Sequence, residues 1–112
     1  NSKSEKTVVD IKNHIDRFYT DPYLSLETAA SSLSYSAKYV SSLFKNQMKI
    51  NFTEYLNTVR IQQACTLIDQ GLTSVKDIAF LCGYSDPLYF SKLFKKTLGV
   101  SPRKKIKDDT IL

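Results

Sequence analysis

The sequence predicts an all-α fold of about seven helices, in which two similar helical units are joined by a long central helix. Three observations support this prediction. The 112 residues include only three glycines and three prolines, which favours helices over a sheet with many tight turns. Apolar residues recur at spacings of three and four, the periodicity of a helix with one buried face. One stretch of the chain also repeats another.

The repeat is clearest between residues 39–45, which read YVSSLFK, and residues 89–95, which read YFSKLFK. Five of these seven positions are identical at an offset of fifty residues. Upstream the offset becomes forty-nine, as with Tyr35 and Tyr84, so the second copy holds one extra residue. Two copies are too few for a solenoid, and a duplicated supersecondary unit is the natural alternative.

Each copy has the pattern of a short helix, a tight turn and a longer helix. In the second copy, Ser74 suits the N-cap of the short helix, and Gly83 suits the left-handed residue that ends it. Pro87 suits the first turn of the longer helix, and Gly99 its end. The first copy has Ser34 in place of Gly83, at some conformational cost. The pattern is typical of a helix-turn-helix, whose second helix enters the major groove of DNA.

The two copies belong to a longer arrangement of helices. The predicted organisation is a linker over 1–6, a first helix-turn-helix lobe over 7–50, a connecting helix over 51–71, a second lobe over 72–107 and a tail over 108–112. Within that segment the helix itself, about Phe52 to Gln70, would span roughly 28 Å, against about 34 Å between successive major grooves on one face of DNA. One chain could therefore place two recognition helices, about residues 36–48 and 86–98, in adjacent grooves of an asymmetric site.

The charge is concentrated in two blocks. The chain has a net charge of +5, and no acid interrupts the lysines between Tyr35 and Phe52 or the seven basic residues between Pro87 and Lys107. Two such blocks indicate either two solvated helix faces or two surfaces that face phosphate.

Other classes of function are less consistent with the composition. The longest wholly apolar run, Ile78 to Cys82, has five residues, so no membrane-spanning segment is expected. Cys65 and Cys82 have no third cysteine partner, which argues against a disulfide scaffold or a cysteine zinc site and favours the cytoplasm. His14 is the only histidine and has no ligand spacing around it. We expect no enzyme, no metal and no cofactor.

A longer pattern of residues runs through the second copy. It reads Ile78-Ala79-x-x-x-Gly83-Tyr84-x-Asp86-x-x-Tyr89-Phe90-Ser91-x-x-Phe94-Lys95-Lys96-x-x-Gly99-x-Ser101-Pro102. With this pattern the chain resembles the DNA-binding domain of AraC/XylS-type transcription regulators, including response regulators of the YesN type, over about Val8 to Pro102. Two positions depart from the family. Lys105 and Ile106 replace a frequent Tyr-Arg in the predicted last helix, and Lys49 stands where the second copy has Gly99.

The resemblance implies sequence-specific binding to double-stranded DNA within a bacterial transcription regulator. It also implies RNA polymerase as a partner and an N-terminal effector or receiver domain that is missing from this sequence. The base-reading positions that it implies are Ser36, Ala37, Lys38, Ser41, Ser42, Pro87, Leu88, Ser91 and Lys92. The phosphate-contacting positions that it implies are Lys45, Lys49, Lys95, Lys96 and Arg103.

Several of these positions have more than one interpretation. Lys38 and Lys92 can bind guanine edges, contact phosphate or be solvated, while Leu88 can touch a thymine methyl group. We expect Tyr39 and Tyr89 in the core rather than stacked on bases, because both lie beside the apolar stripe. The alternative function is a helical protein–protein interaction module that does not bind DNA.

Overall fold

Seven helices account for most of residues 2–110, the part of the chain that the computed structural model describes, and this part contains no strand. They are α1 (Ser2–Phe18), α2 (Leu26–Ser32), α3 (Ala37–Met48), α4 (Phe52–Asp69), α5 (Val75–Leu81), α6 (Pro87–Leu98) and α7 (Pro102–Thr110). The predicted all-α fold is confirmed. The predicted recognition helices correspond to α3 and α6.

Both ends of the chain are more helical than the sequence predicted. Residues 2–6 were predicted as a polar linker, but α1 already begins at Ser2. The side chain of Thr7 is buried one turn later, and Lys6 Nζ lies 3.0 Å from Asp10 Oδ2 in an i,i+4 pair that supports the first turns. Likewise α7 continues through residues 108–110 of the predicted tail, while residues 1, 111 and 112 lie outside the described part.

The chain divides into two compact units, the first ending at Val59 and the second beginning at Arg60. The sequence predicted a separate connecting segment over residues 51–71, whereas the division falls inside α4. The reason is that the two halves of α4 supply buried side chains to different cores. Phe52 belongs to the core of the first unit, and Ile61 to the core of the second.

In the first unit, α1 packs on α2 and α3. Ile11 and Ile15 of α1 are fully buried, as are Val40 and Phe44 of α3. The Phe44 ring meets the ring of Tyr55 edge to face, with 5.4 Å between centroids. The deeply buried aromatic ring fixes the inward side of α3, so the opposite side must face outward.

In the second unit, Phe90 and Phe94 of α6 are fully buried with ring centroids 5.7 Å apart. Ile106 of α7 packs against this core, and Lys105 Nζ lies 3.7 Å from Asp69 Oδ1 of α4. The departure from the family at Lys105 and Ile106 is therefore compatible with a packed last helix.

Both short helices begin at a serine N-cap, as predicted for Ser74. Thr28 N–H donates to Ser25 Oγ at 3.1 Å, and Ser25 N–H donates to Thr28 Oγ1 at 2.9 Å, which completes a capping box. Asp77 N–H donates to Ser74 Oγ at 3.2 Å in the second unit. The matching caps show that the duplicated sequence forms the same local structure twice.

The turns and helix ends also correspond. Ser34 has φ +63° and Gly83 has φ +95°, so both turns pass through the left-handed region that favours glycine. At the ends of α3 and α6, Lys49 has φ +66° and Gly99 has φ +82°. Lys49 thus ends its helix as Gly99 does, despite carrying a side chain.

Candidate nucleic-acid interface

Helix α3 presents a polar face on the side opposite its buried residues. Lys38, Ser41, Ser42 and Lys45 are exposed, and Ala37 is partly buried. The helix starts at Ser36, whose Oγ accepts a hydrogen bond from Tyr39 N–H at 3.1 Å. The face therefore offers two ammonium groups and two hydroxyls, which can donate to base edges and to phosphate oxygens.

Helix α6 presents a face of different chemistry. Leu88 and Lys92 are exposed, while Ser91 and Pro87 are partly buried. Asp86 Oδ1 accepts a hydrogen bond from Leu88 N–H at 3.0 Å, so this carboxylate serves as the N-cap. Pro87 is the first residue of the helix, as expected. A leucine and a lysine thus stand at the positions where α3 has Lys38 and Ser42.

The remaining basic candidates lie at the ends of these helices and on α7. Lys49, Lys95, Lys96 and Arg103 are all exposed. Lys104 also lies on the surface, where its Nζ is 3.4 Å from Asp108 Oδ2. Because residues 87–107 contain no acid, no carboxylate lies among the exposed lysines of α6 itself, and a helix face of this kind attracts a polyanion.

The prediction that Tyr39 and Tyr89 lie in the core is wrong. Tyr39 is 39% exposed and Tyr89 is 50% exposed. Each precedes a fully buried residue by one position, since Val40 follows Tyr39 and Phe90 follows Tyr89. The spacing of apolar residues alone could not separate the centre of the stripe from its edge.

The tyrosines of the two turns, Tyr35 and Tyr84, are more enclosed. Tyr84 is buried beneath the guanidinium of Arg60, whose Cζ lies 5.1 Å from the ring centroid. Burial raises the pKa of Tyr84 well above its usual range, and the nearby Arg60 opposes the shift. The phenol is therefore neutral at physiological pH. Sequence reasoning gave no role to Phe80, which is 71% exposed on α5 beside this turn.

The two thiols are not activated. Cys82 is fully buried, and burial raises its pKa to about 11. Cys65 is partly buried, and burial raises its pKa as well. Both groups stay protonated near neutral pH, whereas thiol nucleophiles and metal ligands act as thiolates.

Within residues 2–110, no cluster of three or more His, Cys, Asp or Glu side chains is suited to a metal ion. No helix in this part is both long and apolar enough to span a membrane.

Known proteins with the same arrangement determine the family. A sequence-family model described as a helix-turn-helix domain matches residues 29–107. The C-terminal domain of AraT, a response regulator from Geobacillus stearothermophilus, has a TM-score of 0.87 and 31% identity, covering 90% of this chain and 84% of that chain. The chain belongs to the AraC-type helix-turn-helix family.

Two further relatives are similar to this chain over most of its length. The C-terminal domain of the two-component response regulator yesN from Fusobacterium nucleatum has a TM-score of 0.82 and 31% identity, covering 86% of this chain and 93% of that chain. YijO of Escherichia coli, an uncharacterised helix-turn-helix transcriptional regulator, is 37% identical over 101 residues, covering 90% of this chain. The chain spans only 35% of the length of YijO. The predicted family is confirmed, and its domains bind DNA in transcription regulators.

Proposed function

We propose that α3 and α6 each enter a major groove of duplex DNA and read the two unlike halves of an asymmetric site. The observation that carries the proposal is the repeated construction of the two helices. Each has a fully buried aromatic side and an exposed side that bears lysines and no acid, with two exposed serines on α3 and the partly buried Ser91 on α6. An exposed helix face of this kind is the one that a helix-turn-helix presents to base edges.

The base-reading residues of α3 are Lys38, Ser41 and Ser42, with Ser36 and Ala37 at the start of the helix. Lysine can donate to guanine O6 and N7, whereas serine pairs with several bases and specifies weakly. The small side chains of the face let the helix lie deep in the groove. We therefore expect recognition by α3 to depend mainly on Lys38.

The base-reading residues of α6 are Leu88, Ser91 and Lys92, with Pro87 at the start of the helix. Leu88 is exposed at the beginning of the helix, where a water-exposed branched side chain can contact a thymine methyl group. Lys92 lies one turn further along and can reach a guanine edge. The half-site of α6 should thus differ from that of α3.

Phosphate contacts come from Lys45, Lys49, Lys95, Lys96 and Arg103. Each cation that neutralises a phosphate releases a counterion, so five contacts predict a slope of about −4.5 for log K against log salt. Because the base contacts are few and short, these contacts and the shape of the DNA should supply much of the affinity.

The chain acts within a longer regulator in the bacterial cytoplasm. In support, it spans about a third of YijO, whose remaining length leaves room for further domains. An N-terminal effector or receiver domain would supply the signal, and RNA polymerase would be the partner at the promoter. No catalytic activity is assigned to the chain.

The proposal is tested by selecting duplexes from a random library and measuring the affinity of the selected duplex at a series of salt concentrations. The expected result is two unlike half-sites about 10 bp apart. Lys92→Ala should change the preferred bases in one half-site, whereas Lys96→Ala should weaken all duplexes equally and reduce the salt slope by about one. Lys3→Ala, at an exposed lysine of α1, is the matched control and should leave binding unchanged.

Two outcomes would contradict the proposal. Equal and steeply salt-dependent binding to every duplex would assign specificity to the absent domain or a partner. Failure to bind any duplex at low salt would favour the protein-interaction module instead.

A further inference from the structure

A pair of equivalent tyrosines lies on the two recognition helices outside the positions assigned above. Tyr39 and Tyr89 occupy the same position of the repeat, fifty residues apart, in the first turn of α3 and of α6. Both side chains are at least 39% exposed, although each is adjacent in the chain to a fully buried residue. A single exposed ring needs no special role, but the same residue type exposed at the equivalent position of both recognition helices points to a role that the two helices share.

Each exposed ring is braced by the tyrosine of the preceding turn. The centroids of Tyr35 and Tyr39 lie 5.8 Å apart, and those of Tyr84 and Tyr89 lie 6.0 Å apart. These distances are typical of favourable aromatic pairs. Contact with a second ring limits the rotamers of Tyr39 and Tyr89, so their hydroxyls are held in place without a large loss of entropy on binding.

The bracing tyrosines are in turn held by buried polar residues of the preceding long helix. Thr7 Oγ1 lies 3.4 Å from the Tyr35 hydroxyl, and the Arg60 guanidinium lies over the Tyr84 ring. Thr7 and Arg60 are both buried. In each unit, a buried side chain of the long helix therefore contacts the turn tyrosine, and the turn tyrosine packs against the exposed tyrosine.

The register of α6 places Tyr89 along the edge of the recognition face. At about 100° per residue, Lys96 is only about 20° from Tyr89 around the helix axis, and Lys92 about 60°. Both lysines are exposed. The tyrosine hydroxyl thus belongs to the same edge as Lys96, a phosphate-contact candidate, rather than to the side that carries Leu88 and Ser91.

We propose that the hydroxyls of Tyr39 and Tyr89 donate hydrogen bonds to DNA phosphate oxygens at the edge of each groove. This inference rests on the proposed function, since it requires α3 and α6 to lie in the groove. A phenol hydroxyl is a recognised donor to phosphate. Unlike a lysine, it is neutral, so its contact releases no counterion and leaves the salt dependence unchanged.

Removal of the hydroxyls alone tests the inference. Tyr39→Phe, Tyr89→Phe and the double variant keep the rings and their packing. Tyr23→Phe is the matched control, because Tyr23 is 83% exposed in the loop before α2 and outside both recognition helices. Dissociation constants are measured for the selected duplex and for unrelated duplexes over a range of salt concentrations.

The expected result has three parts. Each recognition-helix variant should bind all duplexes about threefold to tenfold more weakly. The salt slope should equal that of the wild-type chain, in contrast to Lys96→Ala. A duplex with a methylphosphonate at the contacted phosphate should bind the wild-type chain and the Phe variant with equal affinity, while one modified elsewhere should keep the difference.

Other results would overturn the inference in identifiable ways. Unchanged affinity in both single variants would show that the hydroxyls make no contact. A loss confined to duplexes with one particular base pair would show that they read bases. Failure of the wild-type chain to bind any duplex would instead refute the proposed function, before any tyrosine variant is compared.

Discussion

Replacement of Ser34 by glycine should stabilise the first unit. Ser34 is exposed and holds φ +63°, whereas Gly83 holds φ +95° in the equivalent turn. A residue with a Cβ loses roughly 1–2 kcal/mol in the left-handed conformation, and glycine loses roughly 0.5–1 kcal/mol through its greater freedom in the unfolded chain. The difference favours Ser34→Gly by about 0.5–1 kcal/mol, which corresponds to a rise in Tm of about 2–4 °C.

Urea unfolding and thermal unfolding followed by circular dichroism measure the change. The matched control is Ser31→Gly, the same substitution at an exposed serine three residues earlier. Ser31 lies within α2, so glycine there should destabilise by roughly 0.5–1 kcal/mol. If the backbone of Ser34 is strained, the change in the free energy of unfolding should be positive for Ser34→Gly and negative for Ser31→Gly. The reasoning is refuted if both substitutions shift the free energy of unfolding in the same direction.

Three further predictions follow from individual residues. Lys49→Gly should stabilise the chain, because Lys49 has φ +66° at the end of α3, where glycine is favoured. The same substitution should weaken binding to every duplex, because it removes a cation, so the Tm should rise while the affinity for DNA falls. The pKa of Cys82 is about 11 in the folded chain against an ordinary 9.0, so the stability that the neutral thiol contributes is complete below pH 9 and is lost as the pH rises towards 11. Between pH 9 and pH 11, the free energy of unfolding of Cys82→Ala should therefore fall by roughly 2–3 kcal/mol less than that of the wild-type chain, as measured by urea unfolding. Arg60→Ala should destabilise the second unit by several kcal/mol, as measured by urea unfolding. Arg60→Lys should destabilise it by less, because lysine keeps the charge and much of the aliphatic stem but not the planar group over Tyr84. Equal losses in the two variants would contradict a specific contact with the Tyr84 ring.

The features that could be predicted from the sequence are those set by local physics. Caps such as Ser25 and Ser74 depend on a side chain and a backbone group three residues apart, and left-handed turns depend on a single residue such as Gly83. The exposure of Tyr39 and Tyr89 depends instead on where other helices pack against α3 and α6. The helical state of residues 2–6 likewise depends on the burial of Thr7 and Val8 further along α1, which a polar stretch does not reveal.

The structure also extends the repeat beyond the part visible in the sequence. The buried residues of α1 stand at 7, 8, 11 and 15, and those of the second half of α4 at 60, 61, 64 and 68, with identical spacing. Only Ile15 and Ile68 share a residue type at these positions, so sequence comparison alone could not find them. Each unit is thus a three-helix repeat, and the division of the chain inside α4 is where the second repeat begins.

The two repeats agree where the fold requires it and differ where DNA would be read. Phe44 and Phe94 share the same buried position, and Lys45 and Lys95 the same exposed one. At the proposed base-reading positions, by contrast, Lys38 corresponds to Leu88, and Ser42 to Lys92. Packing in the core and contact with the uniform phosphate chain require similar residues in both copies. The bases of each half-site differ, so the side chains that face the groove should differ as well. The positions at which the copies diverge are therefore the ones at which specificity should reside.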